Sequence, residues 1–125
     1  MNLLRITLLS ILLFVSSNIL AMRVDSFSMV HTKLHLKVRN FTVKKLEGKV
    51  ELTLKLKVNT NQLRFDLKQL QVDSVVLKQS KINHNHIFES VVVQLPQTYT
   101  TGDTFTVEIY YHGTPAADPS GWGGF

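Results

Sequence analysis

Two stretches of this chain alternate apolar and polar residues with a period of two, and that pattern dictates an extended backbone. From Val30, the residues Val30, Thr32, Leu34, Leu36 and Val38 fall on one side, and His31, Lys33, His35, Lys37 and Arg39 on the other. Successive side chains of a strand leave opposite faces, whereas a helix would scatter these apolar residues around its circumference. The second stretch is longer. Leu46, Val50, Leu52, Leu54, Leu56 and Val58 share a face with Gly48, and Glu47, Lys49, Glu51, Thr53, Lys55, Lys57 and Asn59 share the other. A strand over 46–58 would measure about 43 Å at roughly 3.3 Å per residue, so a twist or bend is expected, with Gly48 its natural place.

The short connection over 40–45 between the two runs predicts an antiparallel hairpin. Asn59-Thr60-Asn61 turns the chain into a third strand, in which Leu63, Phe65 and Leu67 alternate with Arg64, Asp66 and Lys68. A short fourth strand is expected over 72–77, a polar turn over 79–85 and a fifth strand over 87–95, ended by Pro96, which has no N–H to give a ladder. Gly102-Asp103 leads into a sixth strand over 104–111, with Phe105, Val107, Ile109 and Tyr111 facing inward and Thr104, Thr106, Glu108 and Tyr110 outward. Six strands, no helical pattern after residue 21 and turns every eight to fifteen residues predict an all-β fold, an antiparallel β-sandwich or curved sheet with one wet side. The segment from Gly113 holds four of the six glycines and two of the three prolines, and reads as loop.

Composition narrows the chemistry. The absence of Cys excludes disulfide staples, thiolate-bound zinc, thiol catalysis and a lipid-modified Cys anchor. Lys and Arg number 14 against 9 Asp and Glu, but the cations alternate with Glu47, Glu51, Asp66 and Glu108 instead of clustering with aromatics, so a solvated strand face is expected and not a nucleic-acid surface. The chain opens with Arg5, an apolar run over 6–15, the polar Ser16-Ser17-Asn18 and a small residue at Ala21. That is the layout of a secretory signal peptide, and the run is too short to span a bilayer, which takes about 20 residues. The expected division is a cleaved signal over 1–21 and a β-sandwich domain over 22–125, secreted or periplasmic and with no stable membrane anchor after cleavage.

No catalytic constellation is visible. His84-x-His86 puts two imidazoles on one side of an extended chain, but no carboxylate nearby in sequence completes a metal set, and Lys81, Asn83 and Asn85 frame a solvated turn. His31 and His35 stand about 13 Å apart along their strand, too far to share an ion. Asn40-Phe41-Thr42 fits the N-glycosylation tripeptide. There is no Gly-rich phosphate loop, no G-x-S-x-G and no H-E-x-x-H. The closing Gly121-Trp122-Gly123-Gly124-Phe125 places large aromatics among glycines, an arrangement that calls for a packing partner.

Three segments, taken in order, resemble the N-terminal domain of the aminopeptidase N family, the zinc gluzincin metallopeptidases that include leukotriene hydrolase. The pair His35-Leu36-Lys37-Val38 and Leu46-Glu47-Gly48-Lys49-Val50-Glu51-Leu52 is similar to the family's opening strand, short connection and x-G-x-h-x-h strand. Leu63-Arg64-Phe65-Asp66-Leu67 followed by Leu70-Gln71-Val72-Asp73-Ser74-Val75 resembles its L-x-L-D-L and l-x-V-x-S-V. Leu95-Pro96, then Gly102-Asp103-Thr104-Phe105-Thr106-Val107 to Tyr110-Tyr111-His112-Gly113-Thr114-Pro115, is similar to its L-P and G-x-x-F-x-V-x-I-x-Y-x-G-x-P, and the closing residues to a W-x-G-G-F of secreted bacterial members.

The resemblance covers the chain from about Val30 onward. It implies a fold, a lineage and a secreted address. Family members remove the N-terminal residue of peptides, with zinc held by two His and a Glu and with the Glu of H-E-x-x-H as general base. This chain carries neither that set nor the G-x-M-E-N that recognises the substrate amine, and the acidic or amide residue the domain lends to the active site comes, in the family, just after the point where this sequence stops. The resemblance therefore implies no catalytic, cofactor-binding or metal-ligating residue here. The expectation is a non-catalytic β domain of a secreted zinc-dependent aminopeptidase, a fragment without peptidase activity of its own, whose partner is the catalytic domain. The alternative is a stand-alone secreted β-sandwich that binds a protein or a glycan. An incomplete sandwich also predicts poor solubility or self-association, because it leaves strand edges and an apolar face without cover.

Overall fold

The computed structural model describes residues 25–117, 119 and 120; the expected signal peptide over 1–21 and the Trp122 segment lie outside them. Eight strands follow in order: β1 (Phe27–Asn40), β2 (Lys45–Leu56), β3 (Thr60–Asp66), β4 (Leu70–Leu77), β5 (Ser80–Ile82), β6 (His84–Ile87), β7 (Ser90–Tyr99) and β8 (Thr104–Gly113). They form two antiparallel sheets, β1-β2-β8-β4-β5 and β3-β7-β6, packed as a β-sandwich with no helix among the described residues.

The β1–β2 hairpin forms as the alternation requires. Asn40 turns the chain: its Oδ1 accepts from the backbone N–H of Thr42 at 2.9 Å and of Val43 at 3.1 Å, and Lys44 takes the left-handed conformation at φ 54°. Thr32, Leu34, Leu36 and Val38 then face Leu52, Val50, Gly48 and Leu46 across the ladder. Residues directly opposite share a face. Phe27 and Met29, which face Leu56 and Leu54, lie on that face too, although their parity in sequence is odd. A bulge between Met29 and His31 supplies the extra residue that switches parity.

The core lies where the three-stranded sheet covers β2, β8 and β4. Leu54, Val75, Val93 and Val107 are fully buried, with Leu63 and Val91 beside them. Phe105 packs on Tyr99, ring centroids 4.7 Å apart. One end of the sandwich is closed by polar turns. Asp103 Oδ2 accepts from the Thr100 backbone N–H at 2.8 Å, and Asn59 Oδ1 accepts from the Thr101 backbone N–H at 2.8 Å, tying the β2–β3 turn to the β7–β8 turn.

Four local expectations are corrected. The polar stretch 79–85 is not one turn but contains β5 and the first half of β6. Its hairpin turn, Lys78-Gln79, has both residues at positive φ (49° and 66°), the backbone that tight hairpins use, without the Asn or Gly that normally announces it. Ile87 belongs to β6, and the turn through Phe88 (φ 54°) precedes β7, which starts at Ser90 and not at residue 87. Pro96 does not end β7. The pairs Gln62↔Gln94 and Thr60↔Tyr99 set one residue of β3 against a longer loop-out of β7, so Pro96 sits where the ladder is interrupted and its missing N–H costs nothing. Gly48 is not a bend but a contact, described next.

Candidate interface

The apolar face of the five-stranded sheet is wider than the sheet that covers it. Leu34, Val50, Ile109 and Val75 form one row across four strands, and Leu36, Gly48, Tyr111 and Val72 the next. Toward β4 and β8 these rows are covered, with Val75, Ile109 and Tyr111 buried and Val72 partly buried. Toward β1 they emerge: Leu34 is 59% exposed, Leu36 48% and Met29 49%. The apolar side of β1 therefore lies outside the core, because β3, β7 and β6 do not reach over it. Where the sheets part, a cavity of about 390 Å³ opens between Phe27, Met29, Val50, Phe65, Leu67 and Tyr111. Phe27 and Phe65 bridge the two sheets at its side with ring centroids 5.3 Å apart. Gly48 forms part of this flank's floor. A Cβ there would lie 2.7 Å from the Tyr111 hydroxyl and 2.8 Å from the His35 carbonyl oxygen, so the ring of Tyr111 occupies the space a side chain would need. Burial raises the Tyr111 phenol above its ordinary pKa, keeping it neutral.

The opposite face of the same sheet is a ladder of ion pairs. Lys49 Nζ lies 2.7 Å from Glu51 and 3.5 Å from Glu108, His35 Nε2 lies 3.1 Å from Glu51, Arg39 pairs with Glu47 at 2.5 Å, and His112 Nδ1 lies 2.6 Å from Asp73. Tyr110 Oη donates to Glu108 at 3.0 Å. Hydrogen bonds from Arg39 and Lys49 lower the carboxyls of Glu47 and Glu51 respectively, and raise the two cations in turn. These four shifts favour the charged forms of already paired groups, and the hydrogen bond to Glu108 raises the Tyr110 phenol and keeps it neutral, as in a structural network in which no group is poised for proton transfer. Among the described residues no group of three or more His, Asp or Glu could hold a metal ion, so the residues present do not fit a zinc site.

None of the protein-family models and none of the curated proteins matches the chain. Solved structures do. The M1 zinc metallopeptidase from Deinococcus radiodurans superposes with a TM-score of 0.69 and 26% identity over 75% of this chain. A mutant of that metallopeptidase bound to a Tyr-Ser-Ala substrate gives the same values, and the mutant alone a TM-score of 0.68 with 25% identity over 73% of this chain. The chain is an aminopeptidase N-like N-terminal β domain. It spans only 21–22% of the length of those structures.

Within this N-terminal domain the residues singled out from sequence are separated. His84 and His86 point the same way from β6, opposite Val93 and Val91, and the ring of His86 turns to the Leu67 carbonyl oxygen, 3.3 Å away, instead of joining His84 at a shared point. His31 and His35 lie on the exposed side of β1, His35 engaged by Glu51. The Asn40 side chain holds its own turn. The sequence predicts an apolar face without cover but does not place it on β1, since the pattern of Leu34 and Leu36 is the same as that of Leu52 and Leu54, which are covered.

Proposed function

We propose that this chain is the non-catalytic N-terminal domain of a secreted or periplasmic zinc-dependent aminopeptidase, and that its open flank packs against the catalytic polypeptide. One observation carries the reading: a β-sandwich like that of an M1 zinc metallopeptidase leaves Met29, Leu34 and Leu36 exposed beside an apolar cavity. Covering such a face removes apolar area from water, at about 25 cal/mol per Å², and supplies an interface with nothing to gain from solvent. The domain's own work is positioning. It holds the wall of a substrate cavity whose zinc, general base and amine-binding residues lie in other polypeptide. The signal over 1–21 delivers it across the membrane and is removed after Ala21.

The reading is tested on the purified chain with an aminoacyl anilide and added zinc. No turnover is expected, and zinc-dependent release of the aniline would overturn it. The DNA beyond the Phe125 codon gives the second arm: an open or frameshifted frame encoding G-x-M-E-N and H-E-x-x-H supports the reading, and a clean stop followed by an unrelated gene favours a stand-alone binding domain. Mass analysis of the exported protein is expected to find Met22 at its N-terminus.

A further inference from the structure

We propose that the free edge of β1 is a docking site for a partner polypeptide: an extended segment in which apolar residues alternate with Asp or Glu, added to the five-stranded sheet as a further strand. This goes beyond the packing of the open flank, since it uses the backbone edge and the outer side chains of β1.

The first support is the edge itself. β1 is 14 residues long and its sole strand partner is β2, so no described strand pairs along its outer side. Unpaired N–H and C=O groups along a strand of that length form a template for another chain. Phe27–Asn40 contains neither Pro nor Gly to interrupt added pairing.

The second support is charge. β1 carries no Asp or Glu, and its outer side presents His31, Lys33, His35, Lys37 and Arg39. Arg39 is taken by Glu47 and His35 by Glu51. Lys33 and Lys37 stand opposite Glu51 and Glu47 across the ladder and act on those carboxylates through space, but neither makes an ion pair within 4.0 Å among the described residues. They stand on one side, four residues apart, a spacing of roughly 13 Å along the strand. The inner side presents Leu34 and Leu36, both about half exposed.

An added strand therefore meets a basic row on one face and an apolar row on the other. A second copy of β1 fits badly in any register that keeps the apolar faces together, because its own basic row would lie against this one, and like charges opposed across a ladder are destabilising. A strand with Glu at positions four apart and apolar residues between satisfies both rows. The lysines thus act against self-pairing and for an acidic partner.

The test uses a capped peptide, Leu-Glu-Val-Thr-Val-Glu-Leu, whose glutamates match the spacing of Lys33 and Lys37. The controls are the same peptide with Lys for Glu and a scrambled acidic peptide of identical composition. Saturable binding of the first peptide is expected, weakening with salt, with new amide-exchange protection confined to β1. The exposed double substitution Lys33→Glu and Lys37→Glu is expected to lower affinity for the acidic peptide about tenfold or more and to create affinity for the lysine peptide. The neutral pair Lys33→Gln and Lys37→Gln, expected to give an intermediate loss, serves if the reversal disturbs folding. No binding, equal affinity for the three peptides, or protection outside β1 would overturn the proposal.

Discussion

β2 and β1 are written in the same alternation, yet they end in opposite environments. Leu54 in β2 is fully buried under the three-stranded sheet, while Leu34 in β1, on the same face of the same sheet and two strands from β8, is 59% exposed. A period of two fixes which side of a strand is apolar. Whether anything covers that side depends on how far the opposite sheet reaches, and here it stops short of β1. The buried region is where the fold is held together, and the open region is where, on the proposed function, the catalytic polypeptide would pack.

The comparison can be tested by substitution, starting with the largest effect. Leu54→Ala is expected to cost about 2–5 kcal/mol in denaturant unfolding, since it opens a void among residues that cannot collapse into it. Equal loss from Leu34→Ala would erase the distinction between the two regions. At their boundary, Gly48→Ala is expected to cost about 1–3 kcal/mol, because the added methyl meets the Tyr111 ring and the His35 backbone. A double-mutant cycle with Tyr111→Ala should show coupling between the two positions, and additive effects would contradict the close approach.

Acid should act on the outer face. The folded-state pKa values of Glu47 and Glu51 are lowered by their cationic partners, so their contribution is fully present above the ordinary carboxyl value of 4.5 and is lost as pH falls below it through the lowered values. The double substitution Glu47→Gln and Glu51→Gln is therefore expected to flatten the fall of the unfolding midpoint between about pH 5 and pH 3. An unchanged slope would mean that these surface pairs hold nothing.

The smallest effect on stability belongs to the open flank. Leu34→Ala is expected to cost under about 1 kcal/mol. Replacing Leu34 and Leu36 by Lys is expected to reduce concentration-dependent self-association, read by sedimentation, with little change in unfolding. Association unaffected by these changes would place the sticky surface elsewhere.

The sheet-forming runs were legible because Leu, Val, Ile and Phe recur every second residue in β1, β2 and β8, a pattern with one backbone solution. β5 and β6 were not, because their turns are made by Lys78-Gln79 and Phe88, whose positive φ is imposed by the surrounding ladder and not signalled by Gly or Asn. The parity switch in β1 is silent in sequence for a related reason: the bulge is required by pairing with β2 and by no residue of its own. Gly48 was visible as an exception, but its cause, the ring of Tyr111 more than sixty residues away, could be seen only in the fold. The open flank had no local signal, since covering is a property of the neighbour.

The most direct measurement is methyl NMR of the chain with a soluble paramagnetic probe. Strong relaxation of the Leu34 and Leu36 methyls, with those of Leu54, Leu56 and Leu63 protected, is the expected result. Equal protection of all five would mean that the chain already covers its own flank, and the account of a domain built to be joined to catalytic polypeptide would fail.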